Sequence, residues 1–330
     1  MKILYGIQGT GNGHISRAKA ILPSLQEVGD VDILISGTNS DVNPGYSVKY
    51  RFKGLSYTFG KKGGIDYLNT VLNLHPATFI KDVSRLPVEE YDLIISDFEP
   101  VTAWACWLKN KPCTGLSHQA SFLSDKAPRP EKINVTGEFI FRNYAPVTNH
   151  VGFHFHKYDS FIQTPVIRQE IRQLTPSEES HITIYLPAYS HELLIQLVEN
   201  TNHDIHIFSK KTRQYSKHGK IQIFPVSDEA YLDSLAGCKA LICGAGFEAP
   251  SEGLYLGKRM MCIPMSDQYE QTCNAAALQQ FGVMISEKAD ATLPQKIEEL
   301  VSVKKPNPID YEDIVEDVIH QLLAFSPQKA

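Results

Sequence analysis

The chain has 330 residues, 42% hydrophobic and 21% charged, enough to build ordinary cores and unlike a disordered polyelectrolyte. A net charge of −5 offers no basic stripe to DNA or RNA, so no nucleic-acid partner is expected. Six cysteines without a C-x-x-C pair read as reduced core thiols, and no run approaches about 18 apolar residues, so the expectation is a cytoplasmic chain without a membrane span.

This length exceeds one hydrophobic core, and two domains of about 150 residues are expected. The first half opens on a strand, Ile3 to Ile7, then the loop Gln8-Gly9-Thr10-Gly11-Asn12-Gly13-His14, then a helical pattern from Ile15 to about Val28. Strand, glycine loop and helix in that order begin a Rossmann-type unit. A second strand spans Val31 to Ser36, and a third apolar run, Asp92 to Ser96, leads into Asp97 and a helix from Val101 to Leu108. Between them lie a basic loop, Gly60 to Gly64, and a stripe at helical spacing from Tyr67 to Leu86, interrupted by Pro76. Continuous apolar runs separated by helices argue for a buried parallel sheet. The pattern breaks near Gln163, and domains of 1–163 and 164–330 follow. The alternation then resumes, with strands at Ile182 to Leu186, Asp204 to Phe208, Ile221 to Phe224, Ala240 to Cys243, Met260 to Ile263 and Val283 to Ile285. The last helix, 308–325, has an apolar stripe that could be buried back on the first domain. The fold class is α/β, with two doubly wound domains.

Closely spaced glycines let a ligand approach the backbone, and the helix that follows offers unpaired N–H groups to an anion. The loop departs from G-x-G-x-x-G at His14, and Ser36-Gly37-Thr38 stands where a ribose-binding acid would follow the second strand, so a nicotinamide or flavin cofactor is disfavoured. His14 is placed to remove a proton from a hydroxyl, and Asp97, at the same sheet edge, to orient it; helix capping is the competing role for each. In the second half, Cys243-Gly244-Ala245-Gly246-Phe247-Glu248 ends a strand ahead of a helix, a small-residue loop suited to diphosphate. Glu252 could accept from two ribose hydroxyls, and the polar run Met265 to Gln271, continuing to Asn274, suits sugar hydroxyls. Asp30-Val31-Asp32 begins a strand rather than ending one, and His154 with His156 lacks a third ligand, so no metal is expected.

In order and spacing these blocks resemble the GT-B glycosyltransferases, particularly the branch of the peptidoglycan-synthesis N-acetylglucosaminyltransferase and, more distantly, the UDP-sugar natural-product transferases. The resemblance implies two Rossmann-like domains facing across a cleft, acceptor-binding first and donor-binding second. It implies His14 as base, Asp97 as its orienting acid, and Gly244, Ala245, Gly246 and Phe247 for the diphosphate. Glu252 would take the ribose, Asp267 with Gln268 or Gln271 the donor sugar, and Phe224 and Val226 the base of the nucleotide. Gly11, Asn12 and Gly13, with His118 and Gln119 of Ser117-His118-Gln119-Ala120, would lie on the acceptor side. One departure stands out: the first donor-domain loop, Leu186 to Glu192, has no glycine, leaving Ser190 and a helix start to serve the phosphate. The implied reaction moves a sugar from a nucleotide diphosphate, UDP by resemblance, to a hydroxyl acceptor, inverting and metal-independent. The acceptor could be lipid-linked or a glycan, with association at the inner face of a membrane. A nucleotide-sugar 2-epimerase and a non-catalytic nucleotide-sugar-binding regulator are the competing readings.

Overall fold

The computed structural model describes residues 1–9, 13–37, 45–55 and 76–326. Gly11, Asn12, the basic loop 60–64 and residues 67–75 of the apolar stripe lie outside the described residues.

The first half builds a wholly parallel sheet from β1 (Lys2–Gln8), β2 (Asp30–Ser36), β3 (Val48–Phe52), β4 (Leu93–Asp97), β5 (Thr114–Ser117), β6 (Asn149–Phe153) and β7 (Ile162–Gln163). Its strand order is β3-β2-β1-β4-β5-β6-β7. The helices described here are α1 (Gly13–Val28), α2 (Pro76–Arg85), α3 (Pro100–Leu108) and α4 (Val135–Asn143). β1 and β4 are buried along nearly their whole length, which is why they read as unbroken apolar runs. In α1, Ile15, Ala18, Ile21, Leu22 and Leu25 recur at helical spacing and face the core. The short strands β5 and β6 carried no such signal. They contain Gly115 and Gly152, and a Cβ on Gly152 would come within 2.9 Å of the Ser121 backbone nitrogen.

After α5 (Gln169–Arg172), the second half repeats the plan. Strands β8 (His181–Tyr185), β9 (Asp204–Ser209), β10 (Ser216–His218), β11 (Ile221–Pro225), β12 (Ala240–Gly244), β13 (Arg259–Ile263) and β14 (Met284–Ile285) order as β10-β11-β9-β8-β12-β13-β14. Only the edge pair β10 and β11 is antiparallel. Helices α6 (His191–Val198), α7 (Asp228–Gly237), α8 (Glu248–Tyr255), α9 (Tyr269–Gln279), α10 (Leu293–Ser302) and α11 (Val315–Ala324) complete the chain. Strand order reverses between β1 and β4 in one sheet and between β8 and β12 in the other. Ligands of open α/β sheets settle at the carboxyl ends of strands at such switch points.

The halves share a core. α11 returns to α1, Gln163 Nε2 donates to Gln321 Oε1 at 3.2 Å, and the Tyr311 hydroxyl donates to the Phe155 carbonyl at 3.0 Å. One buried cluster accordingly runs from Ile3 to Leu322.

Lys258 performs a structural task that its exposed-residue chemistry does not suggest. It follows Gly257, whose φ of +62° only glycine adopts cheaply, and its buried ammonium donates to the carbonyls of Ala236 at 2.6 Å, Ser177 at 2.9 Å and Cys238 at 3.1 Å. Burial lowers its pKa from the ordinary lysine value. Lys258→Met keeps the stem but strips three carbonyls of their donor. It is expected to lower the unfolding free energy by about 2–4 kcal/mol in urea titrations. An unchanged midpoint would show that water serves those carbonyls equally well.

Candidate active site

The carboxyl ends of β1 and β4 bring His14 and Asp97 together. His14 is the second residue of α1 and Asp97 the last of β4; His14 Nδ1 lies 2.8 Å from Asp97 Oδ1. With the hydrogen on Nδ1, Nε2 keeps a lone pair for an incoming proton. Asp97 does not cap the next helix. That role falls to Glu99, which accepts from the N–H groups of Val101 and Thr102, each at 2.7 Å, and from the Ser36 hydroxyl. Phe98 between them adopts φ +52°, a strained conformation that turns the chain out of β4 so that both carboxylates point inward.

A third residue holds the pair. Arg17, only 2% exposed, sends Nη2 to both oxygens of Asp97 at 2.7 and 2.9 Å, and Nη1 to Glu248 of the second half at 2.6 Å. Burial works against ionisation of Asp97, which is wholly buried, but Arg17 and His14 outweigh it and its pKa lies below the ordinary carboxylate value. Burial pushes Glu248 up to about 7 against the pull of Arg17. Neither Arg17 nor Glu248 was singled out in the sequence as a site residue; the one available signal was the i, i+3 spacing of His14 and Arg17 on a single helix face.

On the facing side, Gly244 ends β12, and Ala245, Gly246 and Phe247 lead into α8, whose first residue is Glu248. A Cβ on Gly13 would meet Glu248 Cγ at 3.2 Å, so the end of the glycine loop abuts the start of this helix across the domain boundary. Gly246 differs: among the described residues, its chain neighbours aside, no atom lies within 4 Å of where its Cβ would stand. The first N–H groups of α8, which have no partner inside the helix, follow directly on this open position.

The remaining expected residues are distributed as follows. Glu252, 6% exposed, accepts from Arg168 Nε at 2.9 Å and pairs with Arg168 Nη2 at 2.8 Å, so a ribose would share it with that guanidinium. Gln271 Oε1 accepts from the Met265 N–H at 2.9 Å and shapes the loop, in which Asp267 takes φ +61°. Gln268 precedes α9 as its N-cap residue. Ser190 caps α6, accepting from the Leu193 N–H at 3.3 Å. Phe224 stacks on Phe208 at 5.1 Å, and Val226 is exposed. His118, 1% exposed, spans the two halves: Nδ1 faces the Phe153 carbonyl and Nε2 faces Asn274 Oδ1, both at 2.7 Å, while Phe247 stacks on the ring at 4.1 Å. Gln119 donates to Glu270 at 2.9 Å, also across the boundary. A small hollow at the end of β4 is lined by Ser96, Phe98, Ser117, Leu123 and Phe141, and neither His14 nor Asp97 lines it.

The aspartates of Asp30-Val31-Asp32 open β2 at the edge opposite the dyad, where Asp32 accepts from Lys49 at 2.6 Å and from the Tyr91 hydroxyl at 2.8 Å. Among the described residues, no three His, Cys, Asp or Glu side chains are grouped to hold a metal ion. No described helix is long and apolar enough to cross a membrane.

Behind the site, burial holds His154 well below the ordinary histidine pKa, and its Nδ1 accepts from the Phe155 N–H at 2.8 Å. A histidine neutral in the fold and protonated when unfolded stabilises fully above its unfolded pKa, and that contribution is lost as pH falls through it. The stability difference between wild type and His154→Phe should therefore shrink by about 1.4 kcal/mol per pH unit below about pH 6.5. Urea titrations between pH 7 and 5 give the readout, and a constant difference would mean that the ring is protonated in place.

Residues 1–303 match the family described as glycosyl transferase family 1. No curated protein sequence matches the chain. Among solved structures, MurG from Acinetobacter baumannii superposes with a TM-score of 0.57 at 16% identity, covering 98% of this chain and 99% of that one. The spinosyn forosaminyltransferase SpnP gives 0.58 at 13% identity, covering 98% and 99%. UGT89C1 of Arabidopsis thaliana, solved in complex with UDP, gives 0.56 at 11% identity, covering 98% and 94%. At these identities the likeness is one of fold.

Proposed function

Because the chain belongs to glycosyl transferase family 1 and is a glycosyltransferase of GT-B fold, we propose that it moves a sugar from a UDP-linked donor to a hydroxyl acceptor with inversion. His14 Nε2 takes the acceptor's proton as the acceptor oxygen attacks the anomeric carbon, and the bond from that carbon to the diphosphate breaks on the opposite face. One displacement inverts the configuration. Asp97 stabilises the imidazolium, as a carboxylate does in a hydrolase triad. The departing charge is met by N–H groups at the start of α8 and by the helix dipole, so neither metal nor separate cofactor takes part. Glu252 holds the ribose jointly with Arg168, and the polar loop from Met265 to Gln271 meets the sugar hydroxyls.

One observation carries the reading: the His14–Asp97 pair, 2.8 Å apart, sits against the first turn of α8 from the other domain, with Glu248 of that turn in reach of Arg17 at 2.6 Å. This juxtaposition supports a base and a diphosphate seat that share one site. The UDP complex of UGT89C1 supports the choice of nucleotide. We place the enzyme in the cytoplasm, at the membrane face where the acceptor is lipid-linked.

The test is a panel of UDP-sugars with hydroxyl acceptors, glycan and lipid-linked, followed by proton NMR of the anomeric centre in the presence of EDTA. Transfer with inverted configuration, undiminished by EDTA, is expected. Retention of configuration, or dependence on a divalent ion, would contradict the mechanism. Conversion of UDP-GlcNAc to its manno epimer without acceptor would establish the epimerase instead.

A further inference from the structure

The transfer reading gives Arg17 no part, yet it is the most constrained side chain of the cleft. Its guanidinium bonds both oxygens of Asp97, reaches Glu248 on the other domain and lies over the Phe153 ring at 5.5 Å. Its Nη2 also stands 3.2 Å from His14 Nδ1.

We propose that Arg17 is a positioning residue for sugar transfer, and that Glu248 ties it to the donor helix so that the His14–Asp97 pair is complete only when the two domains are closed. The proposal rests on His14 being the base.

Charge counting carries the argument. A wholly buried carboxylate must be paired. Were imidazole the only partner of Asp97, the unbalanced carboxylate would raise the ring's affinity for a proton, and an imidazolium cannot accept another. The guanidinium supplies a fixed positive charge, which keeps Asp97 ionised and offsets its pull on a proton at His14. Once His14 takes the acceptor's proton, two cations stand beside Asp97, and Glu248 contributes the second anion. That anion belongs to α8 and arrives with the donor domain. Among the described residues, the other titratable groups that bear on the cluster are the buried Tyr5 phenol, kept neutral as burial and Asp97 raise its pKa, Glu252, paired with Arg168, and the buried His118, whose pKa burial lowers and Arg17 lowers further. Burial pushes Glu248 up to about 7, so the second anion is fully present only above neutral pH. The structure therefore places charge balance at the base under the control of a residue from the opposite domain.

The experiment is the pH profile of kcat/KM, from pH 5 to 9, for wild type, Arg17→Gln, Arg17→Lys and Glu248→Gln, with UDP affinity measured in parallel. Arg17→Gln is expected to move the acid limb up by about one pH unit or more and to lower the rate at pH 7 about 10- to 100-fold, with partial recovery at pH 9. Arg17→Lys, which keeps the charge and loses the two-pronged contact, should restore the limb but not the full rate. Glu248→Gln should lower the plateau about tenfold without moving the limb upward. UDP affinity should stay within about threefold in all three variants. A uniform loss of rate in Arg17→Gln with an unmoved limb would reduce Arg17 to a structural residue and overturn the proposal. Loss of UDP binding in Arg17→Gln would also overturn it, by making Arg17 a phosphate ligand. His14→Ala, run alongside, separates the two failures: wild-type turnover there would remove the base itself, whereas a dead His14→Ala with an unmoved Arg17→Gln limb would remove only the positioning role.

Discussion

Replacing His14 with alanine is expected to lower kcat by about 10²–10⁴-fold while leaving UDP affinity within about threefold. The loss is confined to chemistry because the truncation leaves no buried charge stranded. Asp97 keeps both bonds from Arg17, at 2.7 and 2.9 Å, so the cluster remains neutralised and the fold should not suffer. His14 is partly exposed and sits at the second position of α1, where alanine is well tolerated by the helix. Initial rates at saturating donor, with urea midpoints as the control for folding, decide the matter. A variant with normal turnover would show that the acceptor is deprotonated elsewhere.

The second large effect is expected at Gly246. Among the described residues its added Cβ would meet nothing within 4 Å, and its φ is not left-handed, so Gly246→Val should fold with an apo melting temperature close to wild type. The new side chain would nevertheless stand before α8, where we propose that the backbone comes close to the diphosphate. A loss of UDP affinity of more than about 100-fold is expected, equivalent to about 2.8 kcal/mol. The position contrasts with Gly253, where a Cβ would fall 2.2 Å from Met260 Sδ and damage to the fold would obscure any effect on binding. Calorimetric titration of UDP into folded Gly246→Val gives the answer, and unchanged affinity would place the phosphates elsewhere.

Long periodic segments made the fold legible. The β1 run, the glycine loop and α1, then β12, the small-residue turn and α8, each present a buried strand ending in a break and a helix start, and each lies where expected. The short strands β5 and β6 were hidden because a glycine within each interrupts an already short apolar pattern. Within the stretch Ser96 to Pro100, side-chain chemistry alone could not tell which acid caps α3 and which faces the cleft; the turn at Phe98 separates Asp97 from Glu99. Contacts between the domains were out of reach for a different reason. Arg17 and Glu248 are 231 residues apart, and His118 and Asn274 are 156 apart, with no local pattern marking either pair. The resemblance put His118 on the acceptor side; the fold seats it between the domains, bridging Phe153 and Asn274. Glu252 was legible as an acid on the donor helix, but its guanidinium partner lies on the segment before α5.

The central claim is that the donor's diphosphate binds the backbone amides where β12 passes into α8. Hydrogen exchange of residues 244–249, with and without saturating UDP, tests it most directly. The account predicts strong protection of those amides on binding, with weaker change along β10 at the far edge of the sheet. Bound UDP that left the amides of 244–249 exchanging at their free rate would contradict it.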